Sequence, residues 1–278
     1  MMKKTAIVTG ASSGFGLLCV IELAKKGFEV IATMRDLSKS DQLLEKSKQE
    51  NVSHSIHLHL LDVTSKKSID IFRKYCLEFQ SIDILVNNAG IVIGGFSEEL
   101  LIEDYRRQFE TNFFGIIALT QAILPIMRAH GSGRIINLSS ISGKMGFPAL
   151  SAYVASKHAL EGYSESLSLE VQPFGIDIVL IEPGSYQTNI WSAIDSFQFP
   201  NVSPYQTYMT SLLQIMESSK KGYGNPSEVA ELIAKIASQR KKPKLRYLIG
   251  SGVKRNLFFK NVLPGRIIEK FIVKYILK

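Results

Sequence analysis

The sequence predicts an α/β protein, a single doubly wound domain with a mainly parallel seven-stranded sheet and helices on both faces. Short apolar runs alternate with helical patterns along the chain, as expected when each strand is followed by a covering helix. The runs are rich in Val and Ile and apolar on both faces, which is typical of strands buried on both sides. At 278 residues, the chain is within the range of one large α/β domain.

Seven apolar runs fit the strands of this sheet. The first reads TAIVTG and the last LRYLIG. The predicted strands cover residues 5–10, 28–33, 55–63, 83–90, 133–140, 176–184 and 245–250. Their spacing leaves room for a helix after most strands, which favours parallel pairing.

Helical patterns occupy the intervals between the strands. The predicted helices cover residues 14–27, 38–50, 68–79, 98–130, 151–171 and 225–238. The most apolar run, residues 113–127, is about 15 residues long and is interrupted by Thr120, Gln121 and Pro125. A membrane-spanning helix needs roughly 20 apolar residues. We therefore expect this run to form a helix buried in the core.

One connection is much longer than the others. About 40 residues without a strand lie between Pro183 and Asn225, a length typical of a lid or binding loop. Its large side chains include Tyr186, Trp191, Phe197, Phe199, Tyr205, Tyr208, Met209 and Met216. They predict either a small hydrophobic subdomain or a lid over an apolar substrate. We assign residues 184–224 as a substrate loop within a catalytic domain of residues 1–250.

The cysteines and the N-terminus predict a cytoplasmic protein. Cys19 and Cys76 lie far apart within predicted helices, which is typical of free thiols in a reducing compartment. The opening MMKKTAIVTG passes from two lysines directly into a short strand, too short for the apolar region of a signal peptide.

Positive charge is concentrated at the C-terminus. The net charge is +8, and residues 240–278 contain twelve Lys or Arg residues and one acid, so they carry +11 and the remainder −3. The tail, residues 251–278, is predicted to be helical after Pro264. Four basic residues recur there every four positions: Arg266, Lys270, Lys274 and Lys278.

Such a basic amphipathic helix could make peripheral contact with an anionic membrane surface. Alternatively, it could pack against the body of the protein or a second subunit. Nucleic-acid binding is another use of a basic tail, but it is not expected because the body of the chain carries a different chemistry.

The stretch TGASSGFG, residues 9–16, lies between the first strand and the first helix. Its glycines let the backbone turn tightly and approach a pyrophosphate, and the amides of the following helix supply donors. The predicted cofactor-binding residues of this turn are Gly10, Ser12, Ser13, Gly14, Phe15 and Gly16.

The end of the second strand, IATMRD, is where the adenosine ribose of a dinucleotide would lie. An arginine there accommodates a 2′-phosphate, because a guanidinium can grip a phosphate through two donors. Arg35 therefore favours NADP(H), with NAD(H) as the alternative. Asp36 follows and is expected to point away. If Arg35 is only a solvated surface charge, this preference disappears.

Tyr153 and Lys157 are four residues apart, so they share one face of a helix. Ser140, at the end of the fifth strand, lies at the sheet edge where ligands bind in doubly wound folds. An unperturbed tyrosine has a pKa near ~10, and a nearby ammonium lowers that pKa toward the range useful for proton transfer. We therefore predict Tyr153 as general acid/base, Lys157 as the group that tunes it, and Ser140 as a donor to the substrate oxygen.

Two other groups of residues receive structural interpretations. Tyr163 has no lysine four residues later and is predicted to pack. Ser139 is expected to point away from Ser140. His57 and His59 share a face of the third strand while His54 does not, and no metal site is expected.

Five motifs occur in a characteristic order: TGASSGFG at 9–16, NNAG at 87–90, INLSS at 136–140, YVASK at 153–157 and EPG at 182–184. The chain thereby resembles the classical short-chain dehydrogenase/reductase (SDR) family over roughly residues 3–250, and in particular its steroid- and retinol-dehydrogenase-like members. The resemblance implies a Rossmann fold with strand order 3-2-1-4-5-6-7. Met34 stands where NAD-preferring members carry an acid.

The resemblance also implies further roles. Asn112 would hold a water leading from Lys157 to solvent, and Lys157 would bind the nicotinamide ribose. The other implied cofactor-binding residues are Asp62, Val63, Asn88, Ala89, Gly90, Tyr153, Pro183, Gly184 and Thr188. Family members are often dimers or tetramers, so a homodimer or homotetramer is expected by analogy.

Together these patterns predict an NAD(P)-dependent oxidoreductase that interconverts an alcohol and a carbonyl on a small lipophilic substrate. A 3-oxoacyl thioester reductase on the same scaffold is the first alternative. A non-catalytic NADP-binding regulatory protein is the second, but such proteins usually have a broken active site, whereas Asn112, Ser140, Tyr153 and Lys157 are all present.

Overall fold

The computed structural model describes residues 3–188 and 203–277. Within these ranges, seven strands form one sheet in the order β3-β2-β1-β4-β5-β6-β7, and every neighbouring pair is parallel. The predicted fold class and strand order are confirmed. The strands are β1 (Thr5–Thr9), β2 (Glu29–Met34), β3 (Ile56–Leu60), β4 (Ile84–Asn87), β5 (Gly133–Leu138), β6 (Ile176–Pro183) and β7 (Arg246–Ile249).

Helices connect and flank these strands. They are α1 (Gly14–Lys25), α2 (Asp41–Gln49), α3 (Lys66–Cys76), α4 (Ile102–Phe109), α5 (Gly115–Ala129), α6 (Ser151–Val171), α7 (Gln206–Ser219), α8 (Ser227–Ser238), α9 (Val253–Val262) and α10 (Gly265–Ile276). The helix expected after Pro264 is α10. The sequence patterns did not predict α7 or α9.

The sheet is buried on both faces. Successive side chains of a strand face opposite sides, so Ala6 and Val8 enter one hydrophobic core, with residues of α1 and α8. Ile7, between them, enters a second core with residues of α3, α5 and α6. All three side chains are fully buried. This explains why the strand sequences are apolar on both faces.

A crevice opens beside β1, where the order of the strands reverses. Val8 pairs with Ala32 of β2 on one side and with Val86 of β4 on the other. The chain leaves β1 and β4 at the same edge of the sheet, because the strands are parallel. Ligands of doubly wound sheets bind at such an edge.

The long helix predicted over 98–130 is helical from Ile102 but contains a turn of π-helix, Glu110–Phe114, between α4 and α5. By length and composition alone, residues 102–129 could cross a membrane. However, Leu119, Ile123 and Met127 of α5 are fully buried in the core, as expected for a core helix.

The long connection after β6 has its two ends tied together. Tyr186 and Gly224 form an isolated parallel bridge. Between them, α7 contacts α10, so the tail and the connection meet. Three predicted members of the apolar set, Trp191, Phe197 and Phe199, lie outside the described residues.

Candidate active site

A cleft of about 320 Å³ lies at the carboxyl ends of the central strands. All the predicted catalytic and cofactor-binding residues except Gly16 line it: Gly10, Ser12, Ser13, Gly14, Phe15, Arg35, Asp62, Val63, Asn88, Ala89, Gly90, Asn112, Ser140, Tyr153, Lys157, Pro183, Gly184 and Thr188. Residues chosen from separate motifs thus converge on one site.

The glycine-rich turn forms one wall of the cleft. Gly10 and Gly14 have φ angles of +67° and +56°, a region that side-chain-bearing residues rarely adopt. Ser13 precedes α1 in extended conformation and makes no side-chain cap. The first amides of α1 are therefore available to an anion, and the positive end of the helix dipole favours one.

Gly16 lies beneath this turn and does not line the cleft. A Cβ on Gly16 would lie 2.2 Å from the Gly10 carbonyl oxygen and 2.5 Å from Nδ2 of Asn88. Its requirement for glycine is therefore explained by close packing of α1 under the turn. Direct contact of Gly16 with a cofactor stays a prediction.

Asn88 holds the end of β4 against the turn. Its Nδ2 donates to the carbonyl oxygens of Thr9 at 2.7 Å and Gly10 at 3.1 Å. The Thr9 hydroxyl oxygen accepts from the amides of Asn88 and Ala89, both at 2.9 Å. These bonds give Asn88 a structural role in addition to the predicted contact with the adenosine ribose.

Arg35 is exposed at the rim of the cleft. Among the described residues, no hydrogen bond or ion pair involves its guanidinium. The next residue, Asp36, is turned away as predicted, because its carboxylate accepts from the amide and hydroxyl of Ser38 at 3.0 and 2.7 Å. The cation at this rim is therefore not neutralised by its acidic neighbour.

Asp62 and Val63 form the far wall. Oδ1 of Asp62 accepts from the amide and the hydroxyl of Thr64 at 2.9 and 2.8 Å, which orients the carboxylate. Val63 packs against α5, and a Cβ on Gly115 would lie 2.9 Å from both its Cγ2 and its carbonyl oxygen. Glycine at position 115 thus allows the helix to approach this loop.

Tyr153 and Lys157 project from α6 into the other side of the cleft, opposite the end of β5. The Lys157 Nζ lies 5.7 Å from the centre of the Tyr153 ring and donates to the Leu138 carbonyl oxygen at 2.6 Å. The Ser140 hydroxyl lies near enough to the Tyr153 phenol to favour the phenolate form, and it also accepts from the Ser142 amide at 3.1 Å. The three predicted groups therefore line the same cleft.

The expected effect of Lys157 on the tyrosine is not seen in the protein alone. Burial raises the pKa of Tyr153 to about 12, and only the nearby Ser140 hydroxyl opposes this shift. Burial also lowers the pKa of Lys157 to about 8, against the attraction of Glu161. The predicted direction for Tyr153 was wrong because desolvation outweighs an ammonium whose hydrogen bond goes to the Leu138 carbonyl.

Asn112 lies in the π-helical turn and is fully buried. Its side chain both donates to the Ile91 carbonyl and accepts from the Ile91 amide, each at 2.9 Å. Its Nδ2 also approaches Ser156 Oγ of α6 at 3.5 Å. Asn112 therefore anchors the loop after β4 against α6, and π-turns of this kind are frequent at functional sites. The water relay stays a prediction.

Ser139 and Tyr163 have the structural roles that the sequence predicted. The Ser139 hydroxyl donates to Glu161 at 2.6 Å, away from the phenol. Tyr163 packs between two core clusters and meets Phe113 edge-on at 6.2 Å. The histidines also have local partners: His57 lies 2.8 Å from Glu29, and His59 stacks on Tyr75.

The loop after β6 closes the cleft. The amide of Gly184 donates to the Ile249 carbonyl at 2.9 Å. Tyr186, whose packing the sequence did not predict, is 1% exposed. Its ring meets Phe15 edge-on at 5.6 Å, and a Cβ on Gly224 would lie 2.4 Å from it. Glycine at position 224 therefore makes room for this tyrosine.

Apolar side chains pack beside Tyr153. Tyr153 and Val92 form a small cluster to which Leu150, Leu213 and Met216 are packed. Leu213 and Met216 belong to α7, in the connection for which a small hydrophobic subdomain and a lid were the two predictions. Phe96, near Val92, stacks on Tyr205 at 4.2 Å, just before α7. The connection thus packs beside the cluster that contains Tyr153.

Sequence reasoning missed some residues that line the cleft. They are Leu61, Thr64, Ile91, Thr111 and Leu138. Ile91 directly follows the NNAG motif, and Leu138 directly precedes the two serines after β5, so adjacency to a motif was the available signal. Met34, Ser139 and Tyr186 were noted in the sequence but not predicted to line the site.

The residues present fit a dinucleotide. Main-chain glycines, uncapped helix amides, an arginine with no ion pair among the described residues and an oriented carboxylate all line the cleft. A buried serine, tyrosine and lysine face them. This combination defines an oxidoreductase of the dinucleotide-binding class.

Comparison with known proteins identifies the family. The model of the short chain dehydrogenase family matches residues 4–198, and the chain belongs to that family. It is 50% identical to an uncharacterized oxidoreductase of Bacillus subtilis, YusZ, over 99% of each chain. It is 36% identical to 3-ketodihydrosphingosine reductase of Bacteroides thetaiotaomicron, over 90% of this chain and 89% of the relative. It is 34% identical to human retinol dehydrogenase 8, over 86% and 79% respectively.

Solved structures agree with this assignment. A short-chain dehydrogenase from Streptomyces avermitilis superposes with a TM-score of 0.78 at 32% identity, covering 99% of this chain and 96% of that one. ElxO with NADP bound has a TM-score of 0.76 at 28% identity, covering 91% of this chain and all of the other.

Proposed function

We propose that the protein is an NADP(H)-dependent oxidoreductase that interconverts an alcohol and a carbonyl on a lipophilic substrate. The observation that carries this proposal is that Ser140, Tyr153 and Lys157 line the same cleft as the glycine turn, with the Lys157 Nζ 5.7 Å from the centre of the Tyr153 ring. A proton-transfer group and a dinucleotide cradle thus share one cleft.

The residues would divide the chemistry as follows. When bound, the nicotinamide cofactor supplies or accepts the hydride. Tyr153 gives a proton to the substrate oxygen during reduction and removes it during oxidation. Ser140 donates a hydrogen bond to that oxygen and stabilises the negative charge that develops on it. Lys157, held by the Leu138 carbonyl, supplies positive charge beside the phenol.

The guanidinium of Arg35, which has no ion pair among the described residues, supports the preference for NADP(H). Such a cation at the rim of the cleft suits the extra phosphate of NADP better than the hydroxyl of NAD. The related ElxO structure holds NADP. NAD(H) remains the alternative cofactor.

The apolar surroundings of the phenol support a lipophilic substrate. Leu213 and Met216 of α7 and Val92 leave a carbonyl group near Tyr153 with hydrocarbon neighbours. Two relatives are named for retinol and for a keto form of dihydrosphingosine, which are both lipophilic compounds.

A carbonyl panel with NADPH tests the proposal. Long-chain and polycyclic ketones should be reduced faster than small polar ketones. Tyr153→Phe should abolish the reaction. The control Tyr163→Phe, which alters a tyrosine that packs in the core, should retain it. Turnover of 3-oxoacyl thioesters alone would favour the alternative substrate. Cofactor binding without turnover of any carbonyl would contradict the proposed activity.

A further inference from the structure

The two C-terminal helices expose an unusual amount of apolar surface. Phe271 is 71% exposed, and Phe258 is 62% exposed. We define the C-terminal surface as the exposed apolar side chains of α9, α10 and their flanks: Phe258, Phe259, Val262, Leu263, Ile267, Phe271, Val273, Tyr275 and Leu277. Contiguous apolar surface on a folded protein usually marks an interaction site.

The exposed apolar row of α10 is distinct from the face that packs on the protein. Ile268 and Ile272 are partly buried and Ile276 is buried, on the helix that contacts α7. Ile267, Phe271 and Tyr275 form a neighbouring row at four-residue spacing. The rings of Phe271 and Tyr275 stack with centroids 6.4 Å apart. Two adjacent apolar rows therefore exist, and only one is used internally.

A row of positive charge borders this exposed row. Arg266, Lys270 and Lys274 each precede one member of the apolar row, so they follow it along the helix at the same spacing. No ion pair involves these three side chains within the described ranges. Residues 240–278 together carry +11. The apolar surface is therefore bordered by positive charge, which an anionic partner would attract.

We propose that the C-terminal surface docks on the surface of an anionic lipid bilayer. A helix with aromatic and aliphatic residues on one side and Lys or Arg beside them lies in the plane of the membrane interface, with its apolar side chains among the lipids. Its basic residues meet the lipid headgroups, each adding attraction to the negative surface. This proposal does not depend on the substrate or cofactor proposed above.

A second copy of the chain fits this surface less well. A two-fold interface brings the same patch of each subunit together. The basic rows of two copies would then lie near each other, and like charges in an interface are unfavourable. An anionic bilayer instead supplies both the apolar layer and the opposite charge.

Docking would bring the bilayer close to the substrate side of the cleft. The inward face of α10 contacts α7. Leu213 and Met216 of the same helix pack on the cluster that Val92 forms with Tyr153. Thus one helix lies between the docking surface and the catalytic tyrosine, and a lipid-dissolved molecule would have a short route to the active site.

Vesicle flotation of the full-length protein tests the proposal. The protein should float with vesicles of mixed phosphatidylcholine and phosphatidylglycerol but not with vesicles of phosphatidylcholine alone, and added salt should reduce binding. Two variants should each reduce the bound fraction at least about tenfold: Ile267→Ser/Phe271→Ser/Tyr275→Ser removes the apolar row, and Arg266→Glu/Lys270→Glu/Lys274→Glu reverses the charge.

The matched control is Leu77→Ser/Leu169→Ser, which removes two side chains that are 61% and 72% exposed elsewhere on the protein. It should bind vesicles as the wild type does. If a triple variant fails to fold by circular dichroism, the single change Phe271→Ser serves in its place.

Three results would overturn the proposal. The first is that the wild type does not float with anionic vesicles. The second is that both row variants float like the control. The third is that, by light scattering, the wild type is an oligomer and the apolar-row variant is a monomer. The last result would assign the surface to a second copy of the chain. Because flotation needs no turnover, an inactive enzyme that still floats would contradict only the proposed activity.

Discussion

The ammonium of Lys157 lies 5.7 Å from the centre of the Tyr153 ring, and its hydrogen bond goes to the Leu138 carbonyl. Both side chains are buried, so each resists its charged form. Burial therefore keeps the tyrosine in its protonated form, and the charged form of the lysine destabilises the folded protein. The two pKa shifts lead to separate predictions.

The first prediction concerns the pH dependence of catalysis. Because burial raises the pKa of Tyr153 to about 12, the phenol is protonated at neutral pH and the phenolate is scarce. Alcohol oxidation, which needs the phenolate, should accelerate roughly tenfold per pH unit between about pH 7 and 9. Carbonyl reduction should lack this rise. Initial rates in both directions measure it, and identical profiles would contradict the assignment of Tyr153.

The second prediction concerns stability and Lys157. Below its folded pKa of about 8, the lysine is charged in both folded and unfolded states, so folding bears the full cost of burying the charge. Above that pH the folded protein loses the proton first, and the stability of the wild type should rise by up to about 1.4 kcal/mol per pH unit. The rise ends where the unfolded lysine also loses its proton, at its usual pKa of 10.5.

Urea unfolding of wild type and Lys157→Met at several pH values measures this effect. The variant should gain stability relative to wild type at neutral pH and lose that advantage as the pH rises, while its activity is lost. Lys235→Met, changed at an exposed position of α8, is the matched control. If the difference in free energy of unfolding between wild type and Lys157→Met were the same at every pH, the lowered pKa of Lys157 would be contradicted.

The third prediction concerns cofactor choice. Replacing Arg35 with alanine removes the guanidinium at the rim and should lower kcat/KM for NADPH about 10- to 100-fold, the range of one to two charged hydrogen bonds. The value for NADH should change little. Lys39→Ala removes a nearby exposed cation that does not line the cleft. A preference for NADPH that survived Arg35→Ala would show that another group selects the phosphate.

The fourth prediction concerns Gly16. A Cβ there would lie 2.2 Å from the Gly10 carbonyl oxygen, so Gly16→Ala should force the turn and α1 apart. We expect a loss of about 1–3 kcal/mol in stability and weaker NADPH binding.

Gly162 provides the control for this substitution. It lies within α6, and a Cβ there would meet nothing within 4 Å. Gly162→Ala should stabilise the protein by up to about 1 kcal/mol, because alanine is the better helix former. Thermal unfolding and fluorescence titration with NADPH compare the two variants. If Gly16→Ala and Gly162→Ala had the same thermal stability and the same affinity for NADPH, close packing would not explain the glycine at position 16.

The fifth prediction concerns α7 as a wall of the substrate site. Leu213→Ala/Met216→Ala removes apolar contacts around Tyr153 and should raise KM for a long-chain carbonyl about 10- to 100-fold. A small ketone should be affected much less. Thr210→Ala, on an exposed position of the same helix, is the control. Similar losses for both substrates would mean that α7 supports the fold but does not contact substrate.

Local chemistry explains what could be predicted from the sequence. The strands were predictable because they are buried on both faces and therefore apolar throughout. The turn at Gly10–Gly16 and the spacing of Tyr153 and Lys157 are local patterns with one geometric solution. Asp36 was correctly expected to point away, and its own hydrogen bonds to Ser38 explain why.

Properties that depend on distant parts of the chain could not be predicted. The π-helical turn at Asn112 is tied to the backbone of Ile91, which lies on another element. The contact between α7 and α10 joins segments far apart in sequence. The pKa of Tyr153 moves opposite to expectation because burial is a property of the whole fold, whereas the sequence reveals only the neighbouring lysine.

The bridge between Tyr186 and Gly224 has a consequence for how this enzyme could acquire new substrates. The tyrosine is locked against Phe15 and Gly224, so the two ends of the intervening segment are fixed to each other and to the cofactor side of the cleft. When the ends of a loop are already joined, doubling its length costs only about 0.6 kcal/mol. The segment can therefore be lengthened, shortened or replaced as a unit. Such a change would alter the substrate preference while the proton-transfer residues and the sheet stay unchanged.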